Sequence, residues 1–439
     1  EAARYHCRFA FVPLLYEGFS GRPMNSASRA KQHALVLFLI VCTTVPLRAA
    51  QSQLGAAERG PNIVVILADN VGYGELGVYG GGFLRGAATP RIDRLASEGM
   101  RLLNFNVEAQ CTPSRSALMT GRFSIRSGTY QVPRGGAPEG LTQWEITIAE
   151  LLSARGYATG TWGKWHLGSN EERFPTHQGF DEWYGIPRSY TEALWPALNE
   201  TNSMWPSIGT KQGWNAELVP PEPIYEARKG ETARQVAQLD LEHHRRMDEE
   251  ITSRAVGFIK RQASSARPFF AYVSLKLLHM PSMPNRAFTG RTGNGDWADC
   301  LSELDYRTGQ ILDAIHEAKI EENTVVIFAS DNGPEATHPW QGDSGPWRGT
   351  YFTAMEASLR APFVIRWPGK IKPGTQIKEI AGAMDLLPTL TKFAGISAGN
   401  VKPLDGRDLS PLLLGRGGEW PDRMIFSHQN GNVSVRTQQ

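Results

Sequence analysis

The chain is predicted to be an α/β protein: a large, mixed, mainly parallel sheet sandwiched by helices, followed by a truncated C-terminal antiparallel subdomain. Three observations predict this. Short apolar runs rich in β-branched and aromatic residues recur at 62–68 (NIVVILA), 268–274 (PFFAYVS), 324–329 (TVVIFA) and 362–366 (PFVIR), and runs of this kind mark strands buried on both faces. Helical patterns lie between them, at 90–99, 147–155, 248–262, 297–319 and 385–394; strands alternating with helices imply a parallel sheet. Near the end, 424–427 and 433–436 flank Gln429-Asn430-Gly431-Asn432, a hairpin signal. A lone hairpin is marginal, so 416–439 is read as the start of an incomplete subdomain.

Taken from the N-terminus, residues 1–23 read as an upstream segment and 24–50 as a signal peptide. Met24 is followed by basic Arg29 and Lys31, by the apolar stretch 34–45, and by Pro46, Ala49 and Ala50. The stretch is too short for a permanent membrane anchor, so a secreted or periplasmic protein is expected. Removal of that segment takes Cys7 and Cys42 with it and leaves Cys111 and Cys300. Exported proteins pair or avoid thiols; either these two bond to each other or at least one is kept for chemistry. The catalytic domain is placed at 60–415. Its 187–229 stretch, with Trp195, Trp205 and Trp214, lacks periodicity and reads as a long surface excursion.

Among the 439 residues, 46 Lys and Arg face 44 Asp and Glu, a net charge of +2. This gives no electrostatic footprint for nucleic acid. The first apolar strand ends in Asp69-Asn70 and the one at 324–329 in Asp331-Asn332-Gly333. Ligands collect at the carboxyl ends of strands in open α/β sheets. Asp and Asn supply hard oxygen donors that suit Ca²⁺ or Mg²⁺ rather than zinc, although they also favour turns for local reasons. Gly72-x-Gly74-x-x-Gly77 with Asp93 mimics a dinucleotide fingerprint. It fails on context, because no helix opens at Gly77 and Asp93 belongs to a helical pattern.

The most specific stretch is Cys111-Thr112-Pro113-Ser114-Arg115-Ser116-Ala117-Leu118-Met119-Thr120-Gly121-Arg122. Read locally it is a helix start, with Thr112 capping and Pro113 at the first helical position. It resembles the signature of the type I, formylglycine-dependent sulfatases of the alkaline-phosphatase-like superfamily, in which the motif cysteine is oxidised to formylglycine. Gly156-Tyr157-Ala158-Thr159-Gly160-Thr161-Trp162-Gly163-Lys164-Trp165-His166 is similar to the family's second signature. Asp69, Asp331-Asn332-Gly333, Glu356…Arg360-x-Pro362 and Asp385-x-x-Pro388-Thr389 match in order, so the resemblance runs from about 61 to 414.

The resemblance implies that Asp69, Asn70, Asp331 and Asn332, with the modified Cys111, bind one Ca²⁺. It implies that Arg115 and Lys164 hold the formylglycine hydrate and the sulfate, that His166 bonds the hydrate, and that His279 protonates the leaving oxygen. A formylglycine-generating maturase acts during export, and the substrate is a small-molecule or carbohydrate sulfate ester. The chemistry explains the modification: a serine at 111 would form a sulfate ester and wait for water, whereas a hydrate carries a second hydroxyl that releases the sulfate. Two departures stand out. Asn70 replaces the family's Asp, and Tyr351 stands where counting back from Glu356 places a family Lys. Arg348 is the nearest basic residue and is taken as its substitute.

Relatives with the same fold and modified cysteine hydrolyse phosphonate monoesters or phosphodiesters, which is the enzymatic rival. A non-catalytic sulfate-binding relative is the rival of another class, motivated by Asn70 and Tyr351. The persistence of Cys111, Arg115, Lys164, His166 and His279 weighs against it. His243-His244 reads as a solvated helix face, His177 as structural, His338 as a candidate pocket residue, and Cys300 as a buried small hydrophobe. Asn199-Glu200-Thr201 and Asn432-Val433-Ser434 are formal glycosylation acceptors.

Overall fold

A computed structural model describes residues 60–439 apart from 134–138, 191–222, 266, 337–339, 397–401, 418–419, 430 and 438–439. The upstream segment, the signal peptide, Asn199, His338 and the three tryptophans at 195, 205 and 214 lie outside the described residues. Gly60–Gln439 forms one compact unit.

Its centre is a ten-stranded sheet. In chain order the strands of the unit are β1 (Asn62–Ala68), β2 (Met100–Leu102), β3 (Phe105–Asn106), β4 (Ala158–Lys164), β5 (Glu182–Ile186), β6 (Pro223–Arg228), β7 (Arg234–Gln238), β8 (Phe269–Leu275), β9 (Thr324–Ser330), β10 (Arg360–Ala361), β11 (Phe363–Arg366), β12 (Thr375–Ile377), β13 (Ala381–Gly382), β14 (Ile425–Gln429) and β15 (Asn432–Arg436). The main sheet runs β12-β2-β11-β9-β1-β8-β4-β5-β6-β7, with β10-β3-β13 and β14-β15 as two small sheets. The middle strands β9, β1, β8, β4 and β5 are mutually parallel. The antiparallel pairs β9-β11, β11-β2, β5-β6 and β6-β7 make the sheet mixed.

Strand alternation divides the core into two layers. Ile63, Val65 and Leu67 of β1 face one, Val64, Ile66 and Ala68 the other. The first layer is closed by helices α2 (Cys111–Thr120), α3 (Ile148–Ala154) and α6 (Leu386–Phe393), through Leu118, Met119, Leu152, Leu387 and Leu390. The second is closed by α1 (Pro90–Ser97), α4 (Leu241–Ala263) and α5 (Asp296–Glu317), through Leu95, Ile251, Phe258, Leu301 and Leu304. Cys300 is buried in this second layer. Gly77 opens only a single 3₁₀ turn, and Asp93 accepts hydrogen bonds from Val78 N and Thr89 Oγ1 inside α1.

The structure departs from expectation in three places. The end of the stretch expected to be a surface excursion, residues 223–228, is instead strand β6, paired antiparallel with β5 in the main sheet. Helix α4 begins at Leu241, where Asp240 accepts a hydrogen bond from His243 N at 2.7 Å, so the charged stretch 241–247 is helical too. The strand pair β4-β5 was not legible because glycine occupies it. Gly163 has φ 106°, and a Cβ there would lie 2.0 Å from Ser274 O. Only glycine lets β4 lie this close against β8.

Candidate active site

Because β9, β1, β8 and β4 are neighbours and parallel, their carboxyl ends meet at one edge. Asp69-Asn70 follows β1, Asp331-Asn332 follows β9, Lys164 ends β4, and His279 stands in the loop after β8. All of these side chains are buried. Sequence-distant residues therefore share one pocket through topology alone.

Cys111 is the first residue of α2, with Gln110 as its N-cap. Thr112 is thus not the cap and Pro113 is the third helical residue; Pro113 remains harmless because its missing N–H falls in the first turn. The Thr112 hydroxyl instead donates to His166 O at 2.9 Å, tying the two signature segments together. The Cys111 thiol lies 3.6 Å from Asp69 Oδ1 and 4.0 Å from the Tyr351 hydroxyl. Burial holds this thiol well above its ordinary range, only partly offset by Lys164, and Asp69 adds to the effect. An unmodified Cys111 is therefore a neutral thiol and a poor nucleophile. Cys111 and Cys300 are both free, so the two are not bonded to each other.

Arg115, one turn into α2, is fully buried. Its Nε donates to Asp331 Oδ2 (3.0 Å), its two terminal nitrogens to Lys164 O (3.0 Å), Ser274 Oγ (2.6 Å) and Asp69 Oδ2 (3.1 Å), and a further contact reaches Asp331 Oδ2 at 2.8 Å. Four of the five N–H groups of the guanidinium are thus hydrogen-bonded, and the second contact with Asp331 is an ion pair. Lys164 Nζ lies 2.8 Å from Asp69 Oδ2 but lacks the angles of a hydrogen bond, so its donors are unspent among the described residues. Burial opposes the charge on Lys164, but Asp69, Cys111 and Asp331 together outweigh it and hold the ammonium above its ordinary range. Two carboxylates and two cations leave the cluster neutral.

His166 adopts φ 59° and its N–H donates to Pro187 O at 3.0 Å; its Nδ1 is buried without a hydrogen-bond partner among the described residues. For His279 the ring is oriented by chemistry. Nδ1 lies 2.6 Å from Met280 O, a pure acceptor, so Nδ1 carries the proton, and Nε2 faces Ser189 Oγ at 3.2 Å. Burial, then the charge of Lys164, pushes both imidazoles well below the ordinary histidine range. Ligand atoms of Asp69, Cys111 and His279 converge within 4.8 Å of one another.

The residues proposed for the cation fit a hard divalent ion. Asn332 Oδ1 is a buried carbonyl oxygen with no hydrogen-bond partner among the described residues. Burial and the like charge of Asp69 hold the Asp331 carboxyl above its ordinary range, which a cation would relieve. Asn70 Oδ1 accepts from Asn332 Nδ2 at 2.6 Å, and Asn70 Nδ2 donates to Glu335 at 3.1 Å, so these amides already turn toward one another. Arg348 behaves differently. It is exposed, and among the described residues its side chain makes no hydrogen bond or ion pair with the buried cluster. The Tyr351 hydroxyl occupies the position beside Cys111 instead. Ser274 was signalled only as a polar residue in an apolar run. His244 was misread: it is fully buried, not solvated, whereas His243 beside it pairs with Asp240.

A family model described as Sulfatase matches residues 61–396. Arylsulfatase A from Homo sapiens is 41% identical over 394 residues, covering 87% of this chain and 73% of its own length. N-acetylgalactosamine-6-sulfatase from Canis lupus familiaris is 34% identical over 404 residues, covering 89% of this chain and 73% of its own. The crystal structure of the PsFucS1 sulfatase from Pseudoalteromonas sp. superposes with a TM-score of 0.78 at 31% identity, over 88% of this chain and 78% of that one. Likeness of this extent reaches across the whole central sheet and every strand tip described above, so the chain belongs to the sulfatase family and is a hydrolase of sulfate esters on the alkaline-phosphatase-like fold.

Proposed function

We propose that the chain hydrolyses an aryl or carbohydrate sulfate monoester through a formylglycine made from Cys111, with one Ca²⁺ held by Asp69, Asn70, Asp331, Asn332 and residue 111. One observation carries this reading. Residue 111 stands at the N-terminus of α2 among the converging strand tips, yet burial keeps its thiol protonated, so the position is central and the native side chain unfit. The hydrated aldehyde supplies two hydroxyls on one carbon, one to attack sulfur and one whose deprotonation releases sulfate. A bound Ca²⁺ supplies the positive charge that the self-neutralised cluster lacks for an anionic ester.

The chain's own residues supply the rest. Lys164, with unspent donors, binds the sulfate oxygens. Arg115 fixes the carboxylates of Asp69 and Asp331 and would hold the formylglycine hydrate and the sulfate. His166 bonds residue 111, and His279 gives a proton to the departing oxygen; the incoming anion restores the proton that burial and Lys164 disfavour. Arg348 is proposed to swing in to the sulfate, where Tyr351 offers only a neutral hydroxyl. Export through 24–50, together with a formylglycine-generating maturase, completes the reading. Among the described residues no helix is long and apolar enough to cross a membrane.

The test is the mass of the peptide containing residue 111, from protein co-expressed with a formylglycine-generating enzyme. Aldehyde in place of thiol is expected, and Cys111→Ala is expected to lose turnover of 4-nitrophenyl sulfate by at least about 1000-fold, the scale of a lost nucleophile. An intact thiol with full activity overturns the mechanism. Faster turnover of a matched phosphonate ester would favour the phosphorus-directed rival. Arg348→Ala, measured alongside, is expected to impair turnover; unimpaired turnover removes Arg348 from the site.

A further inference from the structure

His279 is held by more than its own loop. Helix α4 presents two buried polar side chains one turn apart, His244 and Asp248, which share a face at this spacing. Both grip the segment that carries His279. Asp248 Oδ1 accepts from Lys276 N at 2.7 Å, and His244 Nε2 lies 2.9 Å from Pro281 O. A carbonyl only accepts, so His244 donates from Nε2, and its Nδ1 is left buried without a hydrogen-bond partner among the described residues. The segment is closed on itself by Ser282 Oγ to Leu278 O (3.0 Å) and by Lys276 Nζ to Met283 O (3.3 Å), and tied to the metal-proposed strand by Leu278 N to Asp69 O (2.9 Å). Tyr190 wedges between the two histidines, its ring centroid 5.8 Å from that of His244 and 6.0 Å from that of His279, both edge-on. The same ring lies 5.9 Å from Lys164 Nζ.

A histidine aligned this way is costly as mere filler. It replaces an apolar side chain on the buried face of α4, and it leaves one ring nitrogen unsatisfied, which hydrogen-bond energetics penalise. What it secures is the position of Pro281, two residues beyond His279, and hence the Met280 carbonyl to which His279 Nδ1 donates.

We propose that His244 is a positioning residue for the leaving-group proton transfer: through Pro281 O and Tyr190 it holds the 276–283 loop so that His279 keeps Nδ1 on Met280 O and presents Nε2 to the substrate. The proposal rests on the sulfatase reading above, in which the bond from sulfur to the alcohol oxygen breaks, its electron pair stays on that oxygen, and the Nε2 proton of His279 moves to it, leaving neutral imidazole. Proton donation matters most for a poor leaving group and little for 4-nitrophenolate, which departs unaided.

The test compares His244→Phe, which keeps ring bulk against Tyr190 but loses the donor, with wild type and with His244→Gln, which keeps a donor, all as matured protein. For His244→Phe we expect kcat on an unactivated sugar sulfate to fall about 10- to 100-fold, a part of the roughly 100- to 10,000-fold that general-acid catalysis contributes, while kcat on 4-nitrophenyl sulfate stays within about threefold. His244→Gln is expected to recover part of the loss. Selective ¹⁵N labelling of histidine should show His279 losing its single Nδ1–H tautomer pattern in His244→Phe. Equal losses on both esters, no loss on either, or a Gln variant as impaired as Phe each overturn the proposal, as does an unchanged His279 spectrum. If wild type turns over no sulfate ester, the sulfatase reading of the site fails, and the spectrum alone still decides whether His244 positions His279.

Discussion

Asn70 occupies a position at which a carboxylate would add one negative charge to the proposed ligand set. Its backbone sits at φ 58°, a left-handed conformation that Asn and Asp both tolerate, so Asn70→Asp changes charge without strain. In the metal-free protein that change removes the donor to Glu335 and sets two carboxylates against each other, beside Asp331 that burial already raises. The expected outcome is twofold: Ca²⁺ binding tightened about tenfold or more, because ligand charge tunes affinity, and a metal-free protein destabilised by about 1–3 kcal/mol. Calcium titration by calorimetry reads the first and denaturant melts in chelator read the second. Binding no tighter than wild type would refute the ligand role of residue 70.

At the scale of elements, the segment entering α2 is clasped by the C-terminal hairpin. Glu108 accepts from Ser427 Oγ at 3.0 Å and Ser124 Oγ at 3.2 Å, and Gln110, the N-cap of α2, donates to Gln429 at 2.6 Å. Burial pushes the Glu108 carboxyl up to about 7, against the two serine hydroxyls that favour its charge. The folded value lies above the ordinary one of 4.5, so the folded chain holds this proton more tightly. Its contribution to stability is full below about pH 4.5 and is lost as pH rises through about 7. Glu108→Gln should therefore gain stability relative to wild type on the order of 1–3 kcal/mol at about pH 8, and much less at about pH 5. Urea melts at the two pH values check it; identical pH slopes for variant and wild type would rule out Glu108 as the titrating group. The Glu356 carboxylate, paired with Arg436 of β15 and with Arg360, is a second tie between the hairpin and the signature blocks.

For the whole molecule, the apolar layers on either face of the sheet account for folding, and the charged edge is an addition to them. Bringing Asp69 and Asp331 together is tolerated because Arg115 and Lys164 neutralise them, and a buried cluster of this kind contributes little net stability. A cation that binds only the folded chain adds about 2.7 kcal/mol at a hundredfold excess over Kd. Saturating Ca²⁺ is thus expected to raise Tm by a few degrees, and chelator to reverse it, with Mg²⁺ a weaker substitute because it demands stricter geometry. Calorimetry on matured protein with and without the ion measures this. An unshifted Tm at millimolar Ca²⁺ would remove the metal from the site.

The sequence by itself determined the strands whose composition is one-sided. Runs such as 62–68 and 324–329 are apolar throughout because both faces are buried, and that property is local. It also determined which polar residues end those strands, so Asp69-Asn70 and Asp331-Asn332 were legible as pairs at strand tips, and it held the signature around Cys111. Tertiary structure decided the rest. Strand β4, which carries Lys164, was invisible because its Gly163 answers to the neighbouring Ser274 carbonyl and its Gly160 to the Trp162 ring, not to any strand propensity. The first turns of α4 read as a solvated helix face because His244 is polar, although it occupies a buried position of that face. Thr112 looked like a cap but spends its hydroxyl on His166. Tyr351 stood in the text only as a missing lysine, while its hydroxyl faces Cys111 and Arg348 points to solvent. Gly160 apart, the deciding partner in each case lies far along the chain, and a pairing of that kind exists only once the parallel strands have been set side by side.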